Sequence, residues 1–522
     1  MSTTLSAPSA RSPTLTSNRF EEFELMKSLS SIVTTDLASL TGAGAGSGPD
    51  VLIVGSGTAG VTSAIEFARN GLSVVILEAG PFVLPMHVGS SPFRSRGDLT
   101  PQIHDLVRHR TSWVERAPFE TSGEAPLNND SWSVVGGRTL FWGGCTPRFT
   151  EWDFDDWPLT LQDFAPYYDR AEDLMHVSGP RAKRPPFFRG EGQQEFLDRL
   201  IAAGIDAEHA SLAVDTQAVQ NGYMSRSFDC SASRLIRSGL LTRAVTPGGI
   251  ALVENTVAER VEHADGQVTG LIARGVDASE TVRLTARHYT FACGAIQSTR
   301  LALASGLKDL HPDVGTHVAD HQFVQGLLKL HEPLKEPIYA FIPPTRERPY
   351  HIQIQGPFTE TWYTPYHATV WLDCDVKGTY LLAYCFGVGE PSASNEVRIT
   401  DGPGTAPGGM GGYTVIADRT DHDHRILEEM TGFLPEVAKA VGADLVRSKV
   451  NPLGAALHEI GGLRMSAQEG DGVTDTHGRF WQLGNLSVAD SAAWPSQGSA
   501  NSYLTITAWS LRHAEGVLAR LA

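Results

Sequence analysis

An α/β protein of two joined parts is what these 522 residues predict. Three observations carry that reading. A short apolar strand, Asp50-Val-Leu-Ile-Val54, runs into Gly55-Ser-Gly-Thr-Ala-Gly60. A helical pattern then continues through Asn70 and leads to a second strand, Ser73 to Ala79, with Glu78 near its end. The chain is also too long for one ordinary core. The first two observations make a strand-turn-helix-strand unit, the opening of a Rossmann-like sheet.

The elements can be justified in chain order. Residues 1–48 begin rich in Ser, Thr, Ala and Pro and end in the linker GAGAGSG, so a flexible segment is expected, interrupted by an amphipathic helix over Phe20 to Leu40. The linker's glycines precede a strand rather than follow one, the wrong context for a phosphate loop. Aromatic and proline-containing segments dominate from about 90 to 240. Strands are expected at Ile250 to Val257, Val268 to Arg274, Val282 to Leu284 and Tyr289 to Ala292, then at His351 to Gln355 and Leu381 to Tyr384. A helix from about Leu504 to Leu521 closes the chain.

Composition narrows the class. The hydrophobic fraction of 41% and charged fraction of 19% are those of a globular protein, and 52 glycines imply many tight turns. A formal net charge of −17 would repel a phosphate backbone, so nucleic acid and anionic membranes are not expected partners. Five cysteines form no C-x-x-C pair and no disulfide framework, which predicts a reducing compartment. With neither a basic, apolar leader nor a long apolar span, cytoplasmic location is expected. A monomer or small homo-oligomer acting on a small molecule fits this balance.

The glycine loop passes three contextual tests together: it follows a strand, opens a helix, and is succeeded by Glu78, whose carboxylate can accept hydrogen bonds from a ribose. Gly55 permits the tight turn, Gly57 lets backbone approach a pyrophosphate, and Gly60 lets helix and strand pack; Thr58 and Ala59 open the helix whose N-H groups face the phosphates. A plain βαβ turn is the competing reading. The loop binds the ADP half shared by NAD and FAD and does not choose between them. The far end of the chain does: Asn485 to Asp490, then Asn501-Ser-Tyr-Leu-Thr505 opening the last helix, read as a second cofactor contact, with Ser502 and Tyr503 at a helix start aimed at a flavin's pyrimidine end.

Five segments in order give the chain its likeness: DVLIVGSGTAG from Asp50, VVGGRTLFWGGCTPR at 134–148, ACGAIQSTRLALASG at 292–306, VGTHVADH at 314–321, and LHEIGGLRMS with NLSVADSAAWPSQGSANSYLTITAWSLR near the end. They resemble the glucose-methanol-choline (GMC) oxidoreductases, and within them the pyranose oxidase branch with its bacterial glycoside 3-oxidase relatives. The resemblance implies a Rossmann-like FAD-binding domain (49–95, 235–320 and 452–522) and a second α+β domain (96–234 and 321–451) that covers the flavin and binds substrate. It implies FAD-dependent oxidation of a carbohydrate hydroxyl to a ketone, with O2 reduced to H2O2. It also implies that GGRTLFWGGC lies along the flavin, its pairs Gly136-Gly137 and Gly143-Gly144 letting backbone touch the ring. Arg138, Thr139, Trp142, Gly143, Gly144, Cys145, Val257 and Asp490 become cofactor contacts by the same likeness. Phe141 stands where covalently flavinylated pyranose oxidases carry a histidine, so dissociable FAD is expected.

The same likeness assigns His458 and Asn501 to the flavin N5. Removing a hydride from a CH-OH carbon requires removing the hydroxyl proton, and an imidazole with a reference pKa of about 6.5 suits that base role. Asn501 can hold the hydroxyl without competing for its proton. A lone histidine is more often a satisfied core residue, and eighteen histidines compete here. Asp421-His-Asp-His424 reads as acidic residues ahead of a helix over Arg425 to Lys439 rather than as a metal site, and His317, Asp320 and His321 read as structural.

For substrate, Gln353 falls where the branch uses a sugar-binding glutamine, and alternation puts Gln355 on the same face. Pro357 stands about where the fungal enzymes offer an aspartate, and Ala383 to Gly387 contains no arginine. Those departures favour a glycoside, including C-glycosides, oxidised at C3 or at C2, over free glucose. Aromatic residues from Phe358 to Tyr366 and at Tyr384 and Phe386 could stack on a sugar face or serve as an ordinary core edge. A pyranose 2-oxidase using free glucose, a sugar dehydrogenase using another acceptor, and a non-catalytic flavin-binding protein stand as alternatives. A disulfide reductase lacks its cysteine pair, a monooxygenase its second nucleotide loop, and a hydrolase its G-x-S-x-G elbow.

Overall fold

The computed structural model describes residues 48–90, 133–217, 228–357, 379–400 and 412–522, together with the backbone of 119–122. The helix expected over Phe20 to Leu40 and the aromatic loop Phe358 to Tyr366 lie outside the described residues.

Val51–Val54, Val74–Leu77, Ile250–Val253, His288–Phe291 and Leu486–Val488 are buried along their whole lengths. Such runs suit parallel strands covered on both faces. They form one parallel sheet, in the order Leu486–Val488, His288–Phe291, Val51–Val54, Val74–Leu77, Ile250–Val253. The Rossmann-like α/β core is therefore present. Helix Thr58–Arg69 makes the crossover between the first two strands, and the last helix, Ser502–Leu521, packs beside it through Thr58 Oγ1 to Thr507 Oγ1 at 2.9 Å and Ser63 Oγ to His513 Nδ1 at 3.3 Å. The end of the chain thus returns to its first nucleotide-binding turn.

The strand expected over Ile250 to Val257 is two strands. Ile250–Val253 joins the parallel sheet, whereas Thr256–Ala264 pairs antiparallel with Gln267–Gly275, which pairs with Val282–Leu284. The break falls at Asn255, whose φ of 52° is left-handed, a conformation asparagine tolerates better than most residues. Thr256 N donates to Glu78 O at 2.9 Å and Asn255 N to Gly80 O at 3.2 Å, so the turn is tied to the end of the second strand.

A second, antiparallel sheet runs Ala443–Val450, Gln322–Leu330, Tyr380–Gly387, Tyr350–Gly356, Ile338–Ile342, Glu208–His209. Alternation divides its side chains. Val324, Leu328, Ile352, Ile354, Ala383 and Cys385 face a core with helix Asp421–Ala440. Phe323, Gln353, Gln355, Tyr384 and Phe386 face the other way, into a cavity shared with the parallel sheet. The helix expected from Arg425 starts earlier because Thr420 caps it: Thr420 Oγ1 accepts from Asp423 N and Asp423 Oδ2 accepts from Thr420 N, a reciprocal capping box. Asp421 and Asp423 occupy its first turn. No helix among the described residues is long and apolar enough to cross a membrane.

Candidate active site

The cavity opens just beyond the carboxyl ends of the parallel strands, where Val54-Gly55, Leu77-Glu78, Ala292-Cys293 and Asp490 line it. Ligands of open parallel sheets bind at that edge. Gly55 has a φ of 102° and a Cβ there would stand 2.4 Å from Ala292 O; a Cβ on Gly60 would stand 2.0 Å from Gly55 O. Gly60 therefore packs beneath the loop and does not line the cavity. A Cβ on Gly57 would meet nothing within 4 Å, and no side chain caps the helix there. The first-turn N-H groups have no partners within the helix and face space open to an anion.

Glu78 is buried, and its carboxylate holds the loop. Oε2 accepts from Ser56 N at 3.0 Å and Ser56 Oγ at 2.6 Å, and Oε1 accepts from Gly80 N at 2.9 Å. Burial pushes this carboxyl above its ordinary range, opposed by those hydrogen bonds. Asp490 does the same for the neighbouring turn: Oδ2 accepts from Gly294 N at 2.8 Å and Ser298 Oγ at 2.6 Å, Oδ1 from Ala492 N at 2.9 Å, and burial pushes its carboxyl up to about 6. Thr58, Ala59 and Val257 complete this end.

In GGRTLFWGGC the two glycine pairs split. Gly137 and Gly143 line the cavity with Arg138, Thr139, Phe141, Trp142 and Cys145. Gly136 and Gly144 do not: with φ of 97° and 81° they turn the chain, and their Cβ positions meet Ala232 at 3.1 Å and Phe228 at 3.2 Å. Gly144, expected to touch the cofactor, stands between the cavity-lining residues Gly143 and Cys145, with a phenyl ring on its own Cβ side. Trp142 packs on Tyr503 with ring centroids 4.0 Å apart and donates from Nε1 to Asp229 O at 2.9 Å. Tyr503 OH donates to Asp229 Oδ2 at 3.2 Å, and Asp229 is ion-paired with the buried Arg234. Burial pushes the Cys145 thiol up to about 12, which keeps it protonated.

His458 and Asn501 meet at the far end of the cavity. Asn501 is the N-cap position of the last helix, yet its side chain makes no capping bond. Its Oδ1 instead accepts from Gln353 Nε2 at 2.7 Å, which leaves Nδ2 toward His458 Nε2 at 3.5 Å. Gln353 Nε2 also lies 2.9 Å from His351 Nε2, and Gln353 Oε1 accepts from Tyr339 OH at 2.7 Å. Gln353 therefore lines the cavity, and its amide also orients Asn501.

The backbone beneath His458 is held from three sides. Leu457 has a φ of 61°, a left-handed conformation that costs a leucine about 1–3 kcal/mol. Arg138 Nη1 donates to Leu457 O at 3.1 Å while Arg138 Nη2 donates to Glu459 Oε1 at 2.8 Å. Asp320 Oδ1 accepts from His458 N at 2.9 Å. Burial, with nearby Glu459, pushes the Asp320 carboxyl up to about 7; Arg138 pulls it down.

Asp320 and His321, read from sequence as structural, thus border His458, and His351, which meets Gln353 beside Asn501, was not singled out from sequence. The signal was available: Gln353 and Gln355 alternate onto the cavity face, and the same period of two reaches back to His351, as it runs from Phe323 back to His321. Ser502 and Tyr503 line the cavity beside Asn501.

Residues 50–323 and 415–510 match the two family models described as GMC oxidoreductase. The chain belongs to the GMC oxidoreductase family. Among curated relatives of this GMC protein are a 6'''-hydroxyparomomycin C oxidase of Streptomyces lividus, 26% identical over 91% of this chain and 92% of that protein, and a paromamine 6'-oxidase of Streptomyces fradiae, 25% identical over 90% and 91%. A 2-methyl-1,2-propanediol dehydrogenase of Mycolicibacterium austroafricanum is 22% identical over 91% and 96%. Among solved structures, a pyridoxine 4-oxidase from Mesorbium loti superposes with a TM-score of 0.64 at 15% identity, covering 90% of this chain and 99% of that one. The GMC family is FAD-dependent, and the residues here fit that cofactor: an uncapped helix start with an open Gly57 at one end, an apolar wall at Val257, Ala258 and Leu301, and the His458-Asn501 pair at the other.

Proposed function

We propose that this GMC oxidoreductase oxidises a secondary hydroxyl of a sugar or glycoside to a ketone, with O2 as the final acceptor. The observation that carries the reading is the placement of His458 Nε2 and Asn501 Nδ2, 3.5 Å apart, on the wall of the same cavity that begins at the phosphate loop. His458 takes the hydroxyl proton as the carbon-hydrogen bond breaks, and Asn501 holds the oxygen in line. Flavin, when bound, supplies the two-electron acceptor for the hydride. The carbon is oxidised from CH-OH to C=O, giving up a hydride and a proton, and O2 takes up the two electrons with two protons to become H2O2.

A glycoside, oxidised at C3 or at C2, is favoured over a free sugar because, among the described residues, the substrate wall presents Gln355, Phe323, Tyr384 and Phe386 to the cavity and no charged side chain beside them. A second reading has its own support: two relatives along some nine-tenths of the chain are named a 6'''-hydroxyparomomycin C oxidase and a paromamine 6'-oxidase, which favours a hydroxyl at a 6-position of an aminosugar. A panel of free sugars, O- and C-glycosides and aminoglycosides, followed by peroxide release and NMR location of the new carbonyl, separates the two. Reduction of an artificial acceptor but not of O2 would defeat the oxidase reading.

The cofactor is dissociable in this proposal. Phe141 is buried on the cavity wall, and a phenyl ring offers no nitrogen for a bond to the flavin. Acid precipitation is expected to leave the yellow colour in the supernatant; colour retained in the pellet would refute it.

A further inference from the structure

We propose that His321 is a positioning residue that keeps a proton on His458 Nδ1 and thereby makes Nε2 the nitrogen that receives the substrate's proton. The inference deepens the functional reading above and rests on it for the substrate and for the role of His458 as base, whereas the tautomer itself rests on the hydrogen bonds below.

The chain of hydrogen bonds begins at a main-chain carbonyl. His321 Nε2 lies 3.0 Å from Gly498 O. A carbonyl only accepts, so Nε2 carries the hydrogen. The ring is buried, and desolvation, helped by His351 nearby, pushes its pKa down to about 3. A neutral ring with hydrogen on Nε2 has a bare Nδ1. That atom stands 3.1 Å from His458 Nδ1, with the rings edge to face at 82°. Two bare nitrogens at that distance repel, so His458 Nδ1 donates. In the neutral His458 ring, Nε2 is then the atom without a hydrogen. That atom is the one beside Asn501 Nδ2.

A parallel lock orients the asparagine. His351 Nδ1 lies 2.7 Å from Ser499 O and must donate to it; burial pushes this imidazole down to about 4, so its Nε2 accepts from Gln353 Nε2. Successive carbonyls, Gly498 and Ser499, thus set two tautomers just before Asn501. Ionisable groups around His458 among the described residues include His321 beside its ring, Asp320 on its N-H, and the Arg138-Glu459 pair on the adjoining backbone. Among these, the one that meets an imidazole nitrogen is His321.

The test is 15N NMR of histidine-labelled holoenzyme, with the His458 signals identified by their loss in His458→Asn. Protonated Nδ1 and unprotonated Nε2 are expected. In His321→Phe, which keeps a ring but offers no acceptor, the Nδ1-H form should lose its dominance. Flavin reduction by the best substrate should then fall by roughly ten- to a thousandfold at unchanged KM. His321→Gln, whose Oε1 can accept, should recover part of the rate. An Nε2-H tautomer in the wild type, or an unchanged tautomer in His321→Phe, overturns the proposal. The wild-type spectrum decides even if the variants fail to fold. The tautomer is read without substrate, so an Nδ1-H spectrum in a protein that no sugar reduces would sink the functional reading and leave this one standing.

Discussion

His458→Ala is expected to lower the rate of flavin reduction by its best carbohydrate substrate by about a hundredfold or more, with the flavin still bound. A positioned general base commonly contributes ~10²- to 10⁴-fold, and the loss should appear in kcat and in kcat/KM together, because the proton moves only as the barrier is crossed. Stopped-flow reduction under anaerobic conditions measures it. Retention of bound colour is expected because the phosphate loop and the Trp142-Tyr503 wall lie on other segments. Near-normal reduction would show that the hydroxyl proton leaves by another route. Asn501→Ala should cost less, since it removes an orienting donor and leaves the base.

The second large effect separates two glycines of one loop. Gly60→Ala puts a Cβ 2.0 Å from Gly55 O, a backbone atom that cannot move without opening the turn. Overpacking of this kind costs about 1–3 kcal/mol, so a colourless protein with a lowered melting temperature is expected. Gly57→Ala meets no protein atom within 4 Å, and Gly57 has an ordinary φ of −65°. Its melting temperature without cofactor should match that of the cofactor-free wild type, while FAD affinity falls sharply because the methyl group occupies the pyrophosphate's approach. Thermal denaturation and flavin titration on both variants check the pair. A Gly57→Ala protein that binds FAD normally would move the phosphates off this loop.

Much of this was legible in the chain because it is local. The apolar runs, the glycine turn and the helix that follows depend on side-chain period and on which residues tolerate a left-handed turn, and both are properties of a few consecutive residues. The family resemblance likewise pointed to His458 and Asn501, which the structure brings together across 43 residues of sequence. The strand break at Asn255 escaped because Ile250 to Val257 read as one strand; the left-handed turn at Asn255 is tied by a hydrogen bond from Thr256 N to Glu78 O, just past the end of a different strand.

Only the tertiary structure could decide what each polar group does. Gly136 and Gly137, or Gly143 and Gly144, are indistinguishable in sequence, and packing against Ala232 and Phe228 determines which of each pair faces the cavity. Gln353, expected from sequence as a sugar contact, also holds Asn501, because Tyr339 and His351 reach its amide from neighbouring positions on the sheet. A histidine's role is set by which of its nitrogens carries the proton, and a distant carbonyl sets that. The carbonyls of Gly498 and Ser499 lie nearly 150 residues or more from the rings they fix. Periodicity along the chain carries no trace of such a partner, since the hydrogen bond exists only after the two sheets have closed around the cavity.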